Sequence, residues 1–317
     1  MLETITDGDR AQARRLNAWL DRMPRFRMKT AVGRVMLNGV LRAVQLVPIV
    51  TRRKLAVPLE VRDVVFMGQD IALRVFRPTR RCRGVILDFH GGGWTIGNAR
   101  MADRINAELA QRLDVAVVSV DYGLALSRPI DAVIDECAAA IRWAIATLHS
   151  KFDTERLIVK GSSAGAHLVA AALLRVRQHD SPISQLAGVM LNFGLYDFSG
   201  TPMVREAGPD TLLLHGPTIR ATLTRLTPDM TETERRAAWL SPVFADLTGL
   251  PPVLLVVGDE DVLRQDSERL YARWQAANGN ARLIVAPDSP HGFLMFETAI
   301  AAKATAASDE WVRALLA

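Results

Sequence analysis

The sequence of 317 residues has little cysteine and no long uninterrupted apolar run. Its two cysteines, Cys82 and Cys137, are too few for a disulfide framework, and they suit a reducing compartment. The acidic start MLETITDGDR is unlike a secretory signal, and two arginines and Pro48 interrupt the apolar stretch 32–50. We therefore expect a soluble, cytoplasmic protein without a membrane-spanning helix.

Positive charge is concentrated near the N-terminus. The net charge is +5, and residues 1–60 hold twelve Lys or Arg against five Asp or Glu. No nucleic-acid motif or aromatic stacking run accompanies these charges, so we predict no nucleic-acid partner. The stretch VGRVMLNGVLRAVQLV leaves open a weak contact with an anionic membrane surface, although a solvated helical face explains it more simply. The sequence also leaves a homodimer open.

Strands alternate with helices from residue 55 onward. LEVRDVVF and IALRVFRP predict a hairpin, and runs such as GVILDFH, VAVVSVDY, RLIVKG and PPVLLVVG predict buried strands between helices. This alternation predicts a mostly parallel sheet with helices on both faces. Segments 1–54 and 195–240 have no strand pattern, and we predict that they form a helical cap over a catalytic domain at 55–317, because insertions at the carboxyl ends of strands cover the ligand crevice.

The string GSSAG at 161–165 places two serines between glycines. A predicted strand precedes it and a predicted helix follows, which is the context of the G-x-S-x-G nucleophile elbow. The central serine of that motif, Ser163, then occupies the strained turn, and Ser162 is the variable position. A serine hydroxyl is a poor nucleophile at neutral pH, so it needs a base and an orienting carboxylate.

Loops just after predicted strands supply candidates for these partners. His291 follows ARLIVAPDSP, and the carboxylates of Asp259, Glu260 and Asp261 follow PPVLLVVG. The order serine, acid, histidine is that of α/β-hydrolases. The string HGGGW at 90–94 also follows a strand, and its glycines expose backbone N–H groups suited to a tetrahedral oxyanion.

Five motifs follow one another along the chain with a characteristic order and spacing: HGGGW, VDYGLAL, GSSAG, LSPVFADLTGLPPVLLVVGDEDVL and SPHGFLMF. In this they resemble the hormone-sensitive-lipase-like carboxylesterases, family IV of the bacterial lipolytic enzymes, over residues 55–317. The resemblance implies an eight-stranded α/β-hydrolase fold with a helical cap, and ester hydrolysis without a cofactor. It implies Ser163 as nucleophile, His291 as base and Asp261 as orienting acid, with Asp259 as the second candidate acid.

The resemblance also implies the backbone amides of Gly92, Gly93 and Ala164 as oxyanion donors. Trp94 and Leu213 are candidates for an apolar substrate pocket, although a core tryptophan and the buried stripe of a helix explain them equally well. No metal site is predicted.

The sequence departs from the family pattern in three features, one of which is Ala166, where the family often has Gly. The family's YRLAPE is here YGLALS at 122–127, so the bracing arginine and glutamate must come from elsewhere. Ser162 stands where the family usually has Asp or Thr. We expect His90 to brace the glycine loop without transferring protons, and Asp266 to hold the loop of the acid.

These residues predict a serine carboxylesterase that hydrolyses short- to medium-chain esters through an acyl-enzyme. A lactone or acetyl-ester hydrolase of the same mechanism is an alternative within the enzyme class. A protein that captures a small ligand on a hydrolase scaffold without turnover is the alternative from another class, and the complete set of triad residues argues against it.

Overall fold

The computed structural model describes residues 2, 4–23, 31–46, 55–126, 128–178 and 183–317. The parts of the predicted cap segment at 24–30 and 47–54, and Ser127 of the YGLALS string, lie outside the described residues. The strands form one sheet in the order β1-β2-β4-β3-β5-β6-β7-β8. They are β1 (Leu59–Phe66), β2 (Gln69–Phe76), β3 (Val85–Phe89), β4 (Ala116–Val120), β5 (Leu157–Ser162), β6 (Leu186–Asn192), β7 (Val253–Gly258) and β8 (Ala281–Ala286).

Along the described parts of the chain, two helices precede the first strand, and the others lie between strands or after the last one. They are α1 (Asp7–Asp21), α2 (Ala31–Leu46), α3 (Asp103–Leu113), α4 (Ile130–Phe152), α5 (Ala164–Arg177), α6 (Pro202–Glu206), α7 (Gly216–Leu226), α8 (Arg264–Asn278) and α9 (Ala299–Leu316). Within the described ranges, no helix is both long and apolar enough to span a bilayer.

The predicted sheet is confirmed. β1 and β2 form a hairpin through Met67 and Gly68, both with positive φ, and β2 pairs antiparallel with β4, while every pair from β3 onward is parallel. In β3, Leu87 packs into one buried apolar cluster and Ile86 into another, so both faces of the sheet are covered. This double burial explains why the central strands are continuous apolar runs in the sequence.

One ion pair lies inside this apolar sheet. Asp88 of β3 is in register with Lys160 of β5, and Lys160 Nζ lies 2.5 Å from Asp88 Oδ1. Asn106 Nδ2 and Ser119 Oγ donate to the other carboxylate oxygen at 2.9 and 3.1 Å. Burial acts to raise the pKa of Asp88, but Lys160 and these donors together hold it below its ordinary value. The pair therefore fixes the register of the two strands that lead into HGGGW and GSSAG.

The start of α5 lies in direct contact with the end of β3. A Cβ at Gly165 would collide with the carbonyl oxygens of Phe89 and His90, and one at Gly161 would collide with the carbonyl of Gly165. Only glycine at both positions allows this close approach. The helix thereby begins directly beside the HGGGW loop.

We expect Gly165→Ala to lower the free energy of unfolding by about 2–4 kcal/mol, because the added methyl group meets rigid backbone carbonyls. Gly39→Ala is a matched control, since Gly39 is also helical but a Cβ there meets no atom within 4 Å. That control should be neutral or stabilise by up to about 1 kcal/mol through helix propensity. Urea unfolding of the two variants measures both effects, and equal stabilities would contradict the packing argument.

Candidate active site

Ser163 lies on a strained turn between β5 and α5. Its backbone has φ 53° and ψ −119°, a conformation that is costly for any residue with a Cβ. Its N–H donates to Asn192 O at 2.8 Å, and Asn192 Nδ2 donates to Ser162 Oγ at 3.4 Å. Asn192 at the end of β6 therefore bonds to both serines, and its hydrogen bond with Ser163 is the shorter of the two.

His291 connects the serine to a carboxylate. Its Nε2 lies 3.0 Å from Ser163 Oγ, and its Nδ1 lies 2.8 Å from Asp261 Oδ2. Asp261 is fully buried, and its other oxygen accepts from the Leu263 N–H at 2.9 Å. An imidazole bonded in this way carries its proton on Nδ1 and presents Nε2 as an acceptor for the serine hydroxyl.

The second candidate acid has a different partner. Asp259 Oδ1 accepts from the Ser289 N–H at 3.2 Å, so this carboxylate holds the loop that carries His291. Glu260 faces the N-terminus, where Asn17 Nδ2 donates to it at 3.3 Å. Of the three neighbouring acids, only Asp261 contacts the imidazole within the described residues.

The HGGGW loop lies against the nucleophile. A Cβ at Gly91 would lie 3.3 Å from Ser163 Cβ. Gly92 has a φ of 136°, and a Cβ at this position would overlap Ile96 O. Gly93 also has positive φ, and a Cβ there would meet no atom within 4 Å. In the described part of the chain, the N–H groups of Gly92 and Gly93 donate no backbone hydrogen bond, and Ala164 begins α5 directly after Ser163. The loop that carries Gly92 and Gly93 is thus brought against the turn that carries Ser163 and Ala164.

Similarity to known proteins agrees with this geometry. The alpha/beta hydrolase fold family matches residues 86–295. The chain belongs to this family. The carboxylesterase NlhH of Mycobacterium tuberculosis is 31% identical over 256 residues, covering 78% of this chain and 79% of that protein. An acetyl esterase of Salmonella schwarzengrund is 27% identical over 260 residues, covering 78% of this chain and 75% of that protein.

Among solved structures, an esterase of the archaeon Pyrobaculum calidifontis superimposes with a TM-score of 0.81 at 23% identity, over 99% of this chain and 100% of that chain. At 23% identity, this structural similarity shows the fold alone. The resemblance to the hormone-sensitive-lipase-like carboxylesterases, expected from the motifs, is confirmed by the family match and the curated relatives.

This alpha/beta hydrolase replaces the missing YRLAPE brace with residues from further along the chain. Glu136 of α4 is buried and accepts from the Gly123 N–H at 3.1 Å, and Arg128 Nη1 lies 2.6 Å from the same carboxylate. A Cβ at Gly123 would collide with the Arg128 guanidinium. The arginine and glutamate of the family pattern are therefore present in space but not at their usual positions in sequence.

Tyr122, which the family pattern retains, braces the HGGGW loop. Its hydroxyl donates to His90 O at 2.6 Å, and its ring stacks on the His90 ring at 4.2 Å. His90 Nδ1 lies 2.8 Å from Gly91 O, and burial lowers the pKa of His90. A neutral imidazole that donates to a carbonyl is suited to the bracing role expected for His90.

Trp94 and His167 form a contact that sequence reasoning missed. The buried Trp94 donates from Nε1 to His167 Nδ1 at 3.0 Å, and His167 Nε2 donates to Leu240 O at 2.7 Å. Burial lowers the pKa of His167 to about 4, so the imidazole is neutral. Trp94 has the contacts of a core residue here, and its predicted role in substrate binding stays a prediction.

Leu213 lies in an irregular segment between α6 and α7, with φ 62° and 37% of its surface exposed. The alternative explanation, that Leu213 belongs to the buried stripe of a helix, is wrong because this segment is not helical. Asp266 also differs from expectation. It accepts from the Tyr196 and Asp197 N–H groups at 2.7 and 2.9 Å, so it holds the loop after β6 and not the loop of the acid.

Phe193 is a further contact that the sequence did not indicate. Its ring meets the edge of the His291 ring with centroids 5.0 Å apart. Phe193 has φ 42°, and its N–H donates to Val256 O at 2.7 Å. A bulky residue with positive φ directly after a strand is uncommon. The pattern carries no signal for it, because φ is not visible in a single sequence.

The N-terminal helices contact both sides of the site. Arg10 and Arg14 of α1 pair with Asp288 at 2.8 and 2.7 Å, and this aspartate lies three residues before His291. The hydrogen bond from Arg14 is the main cause that lowers the pKa of Asp288. On α2, Asn38 Nδ2 donates to Thr95 O, and its Oδ1 accepts from the Gly97 N–H, both at 2.9 Å. One helix therefore holds the histidine loop and the other holds the loop of HGGGW.

We expect Asp261→Asn to lower kcat by about 10³–10⁴-fold, because the imidazole loses the carboxylate that fixes its tautomer. Asp259→Asn is the matched control. Among the described residues its carboxylate accepts only from the Ser289 N–H, so its loss should cost less than about tenfold. Steady-state kinetics on a nitrophenyl ester compare the two. The opposite order of losses would transfer the orienting role to Asp259.

We expect His167→Leu to cost about 2–4 kcal/mol at pH 7, because Trp94 Nε1 and Leu240 O lose their partner inside the protein. The folded-state pKa of about 4 lies below the ordinary value of 6.5. The contribution of a neutral His167 is therefore complete above about pH 6.5 and is lost as the pH falls toward 4. Between pH 7.5 and 5, the native protein should lose about 2 kcal/mol more than the variant.

Urea unfolding at the two pH values tests this. Trp94→Phe is the control, because it removes the donor but leaves the buried imidazole, and it should keep the native pH dependence. The same pH dependence in His167→Leu and in the native protein would show that His167 does not titrate as described.

Proposed function

We propose that this alpha/beta hydrolase cleaves carboxylic esters of short to medium acyl chain length through a covalent intermediate on Ser163. The observation that carries the proposal is the continuous chain of contacts from Ser163 Oγ to His291 and on to Asp261, at 3.0 and 2.8 Å. The esterase names of the curated relatives support the substrate class. A protein that only captures ligand would have no need of this alignment.

In the first step, Ser163 Oγ attacks the carbonyl carbon of the ester while His291 Nε2 takes the hydroxyl proton. The imidazolium that forms is stabilised by Asp261, which accepts from Nδ1–H throughout. The buried position of Asp261 strengthens this interaction, because little water screens it.

The negative charge on the carbonyl oxygen is accepted by the amides of Gly92, Gly93 and Ala164. These donors are fixed by the positive-φ glycine loop and by the start of α5, so they need no rearrangement as charge develops. His291 then gives its proton to the leaving alcohol, and water repeats the sequence on the acyl-enzyme to release the acid and free Ser163.

We further propose that α1, α2 and the 195–240 segment cover the site as a cap. The anchoring of α1 at Asp288 and of α2 at Thr95 and Gly97 supports this, because both contacts flank the triad. Trp94 and Leu213 stay candidates for the substrate pocket. Acetyl esters and lactones use the same chemistry, and an acetyl esterase among the relatives favours the first of these two alternatives.

Three predictions about surroundings stay predictions: a cytoplasmic location, a homodimer, and weak contact with an anionic membrane surface. The exposed apolar side chains of Val35, Met36 and Val40 on α2 support the last of these, together with the excess of basic residues at 1–60.

We expect Ser163→Ala to lower the hydrolysis of 4-nitrophenyl butyrate by at least about 10⁴-fold and to abolish labelling by a fluorophosphonate, because the nucleophile is lost. Ser162→Ala is the matched control from the neighbouring position. Within the described ranges the Ser162 hydroxyl takes part only in a 3.4 Å bond from Asn192, so the change in activity should be no more than a few-fold. Esters of two to twelve acyl carbons then measure the length preference.

Thermal unfolding of both variants establishes that the fold is intact. Activity and labelling that survive in Ser163→Ala would overturn the assignment of the nucleophile, and a loss confined to Ser162→Ala would transfer the role to its neighbour.

A further inference from the structure

Arg34 of α2 is a buried cation that pairs with no carboxylate in the part of the chain that the structure describes. Only 3% of its surface is exposed, although arginine is rarely buried without a paired group. Its Nε and Nη1 atoms are enclosed and donate to none of the residues that the structure describes. Arginine carries five N–H donors in a fixed fork and keeps its charge in proteins, so these groups demand an acceptor.

A second positive charge makes this burial less favourable. Burial and then the positive charge of Arg225, on α7, lower the pKa of Arg34 below its ordinary value. Arg225 has contacts of its own, whereas Nε and Nη1 of Arg34 have no hydrogen-bond partner among the described residues. A buried charge of this kind destabilises a folded protein unless something else depends on it.

The position of Arg34 places this cation near the candidate site. Asn38 follows one helical turn later on the same face of α2, and its side chain bonds to Thr95 O and to the Gly97 N–H. That loop carries Gly92 and Gly93. Arg34 therefore lies on the face of α2 that contacts this loop, and its charge interacts with Arg225 of α7, in the second proposed cap segment.

We propose that Arg34 binds a carboxylate on the substrate, so that the enzyme prefers esters that carry a second, ionised carboxyl group. This rests on the proposed ester hydrolysis and names its substrate class. The planar guanidinium can donate two parallel hydrogen bonds to a carboxylate, which supplies both the missing acceptor and the missing negative charge.

The carboxylate can belong to either half of such an ester. If it belongs to the acyl half, water cleaves the acyl–oxygen bond to give a dicarboxylate and an alcohol. If it belongs to the alcohol half, the products are a simple carboxylate and a hydroxy acid. Both reactions use the same acyl-enzyme steps on Ser163 and need no further reactant.

Two matched ester pairs distinguish these cases. The acyl pair is mono-4-nitrophenyl adipate and its neutral methyl ester, and the alcohol pair is 4-butyryloxybenzoate and its methyl ester. We expect the native enzyme to favour the anionic member of one pair in kcat/KM. Arg34→Met should lower the ratio of anionic to neutral kcat/KM in that pair by at least about tenfold, because a charge-assisted hydrogen bond is lost. Arg34→Lys should retain part of the preference.

Arg42→Met is the matched control, since Arg42 lies on the same helix and is exposed. It should leave both ratios unchanged. The melting temperature of Arg34→Met gives a second readout, because a substrate-binding role and a structural role predict changes of opposite sign. Arg34→Met should melt at or above the temperature of the native protein, because it removes an uncompensated buried charge without leaving a large cavity. A structural arginine would lower the melting temperature on replacement.

Binding separates this inference from the proposed function. In Ser163→Ala, adipate or 4-hydroxybenzoate should raise the melting temperature, the neutral dimethyl adipate or methyl 4-hydroxybenzoate should raise it less, and adding Arg34→Met should remove the difference. The carboxylate site would be overturned if the native enzyme favoured neither anionic ester. It would also be overturned if Arg34→Met lowered kcat/KM equally for the anionic and the neutral ester of a pair. Neither result would contradict ester hydrolysis. Absence of hydrolysis of every ester would overturn the proposed function, and the melting shifts would still decide whether Arg34 binds carboxylates.

Discussion

The contact between the start of α5 and the end of β3 is the constraint on which the candidate site depends. Gly165 approaches the carbonyls of Phe89 and His90 so closely that no side chain fits between them. The nucleophile turn and the HGGGW loop are therefore two sides of one rigid junction. The buried pair of Asp88 and Lys160 lies directly before this junction and fixes the register of its two strands. Preorganised amide donors need such a support, because their value lies in not having to move.

The histidine and its acid come from the other end of the sheet, and their loops are held by several separate contacts. Asp259 accepts from Ser289, the Phe193 ring packs on the edge of His291, and α1 binds Asp288. None of these groups takes part in proton transfer. Together they restrict the imidazole to the orientation in which it reaches both Ser163 and Asp261, and a small misplacement of a catalytic group slows a reaction considerably.

The family, the fold and the hairpin followed from local signals: glycine runs, strand and helix alternation, and an elbow flanked by both elements. The replaced YRLAPE brace did not, because Arg128 and Glu136 meet Gly123 only after α4 has packed onto the sheet. The same holds for His167, whose helical pattern indicates burial but not the bond to Trp94. The buried helical stripe that was one of two explanations for Leu213 was wrong, because an apolar run of three residues has no periodicity that separates a helix from a bend.

The basic N-terminal segment shows how identical residue types take different tasks according to their surroundings. Arg10 and Arg14 are partly exposed and meet the carboxylate of Asp288, so their charge holds α1 to the histidine loop. Arg34 is buried beside another cation and has no such carboxylate within the described residues. An arginine that served only to attach α2 would gain more from a neutral or acidic neighbour. A substrate carboxylate would supply the missing acceptor, so the proposed carboxylate site accounts for a burial that attachment of α2 alone does not explain.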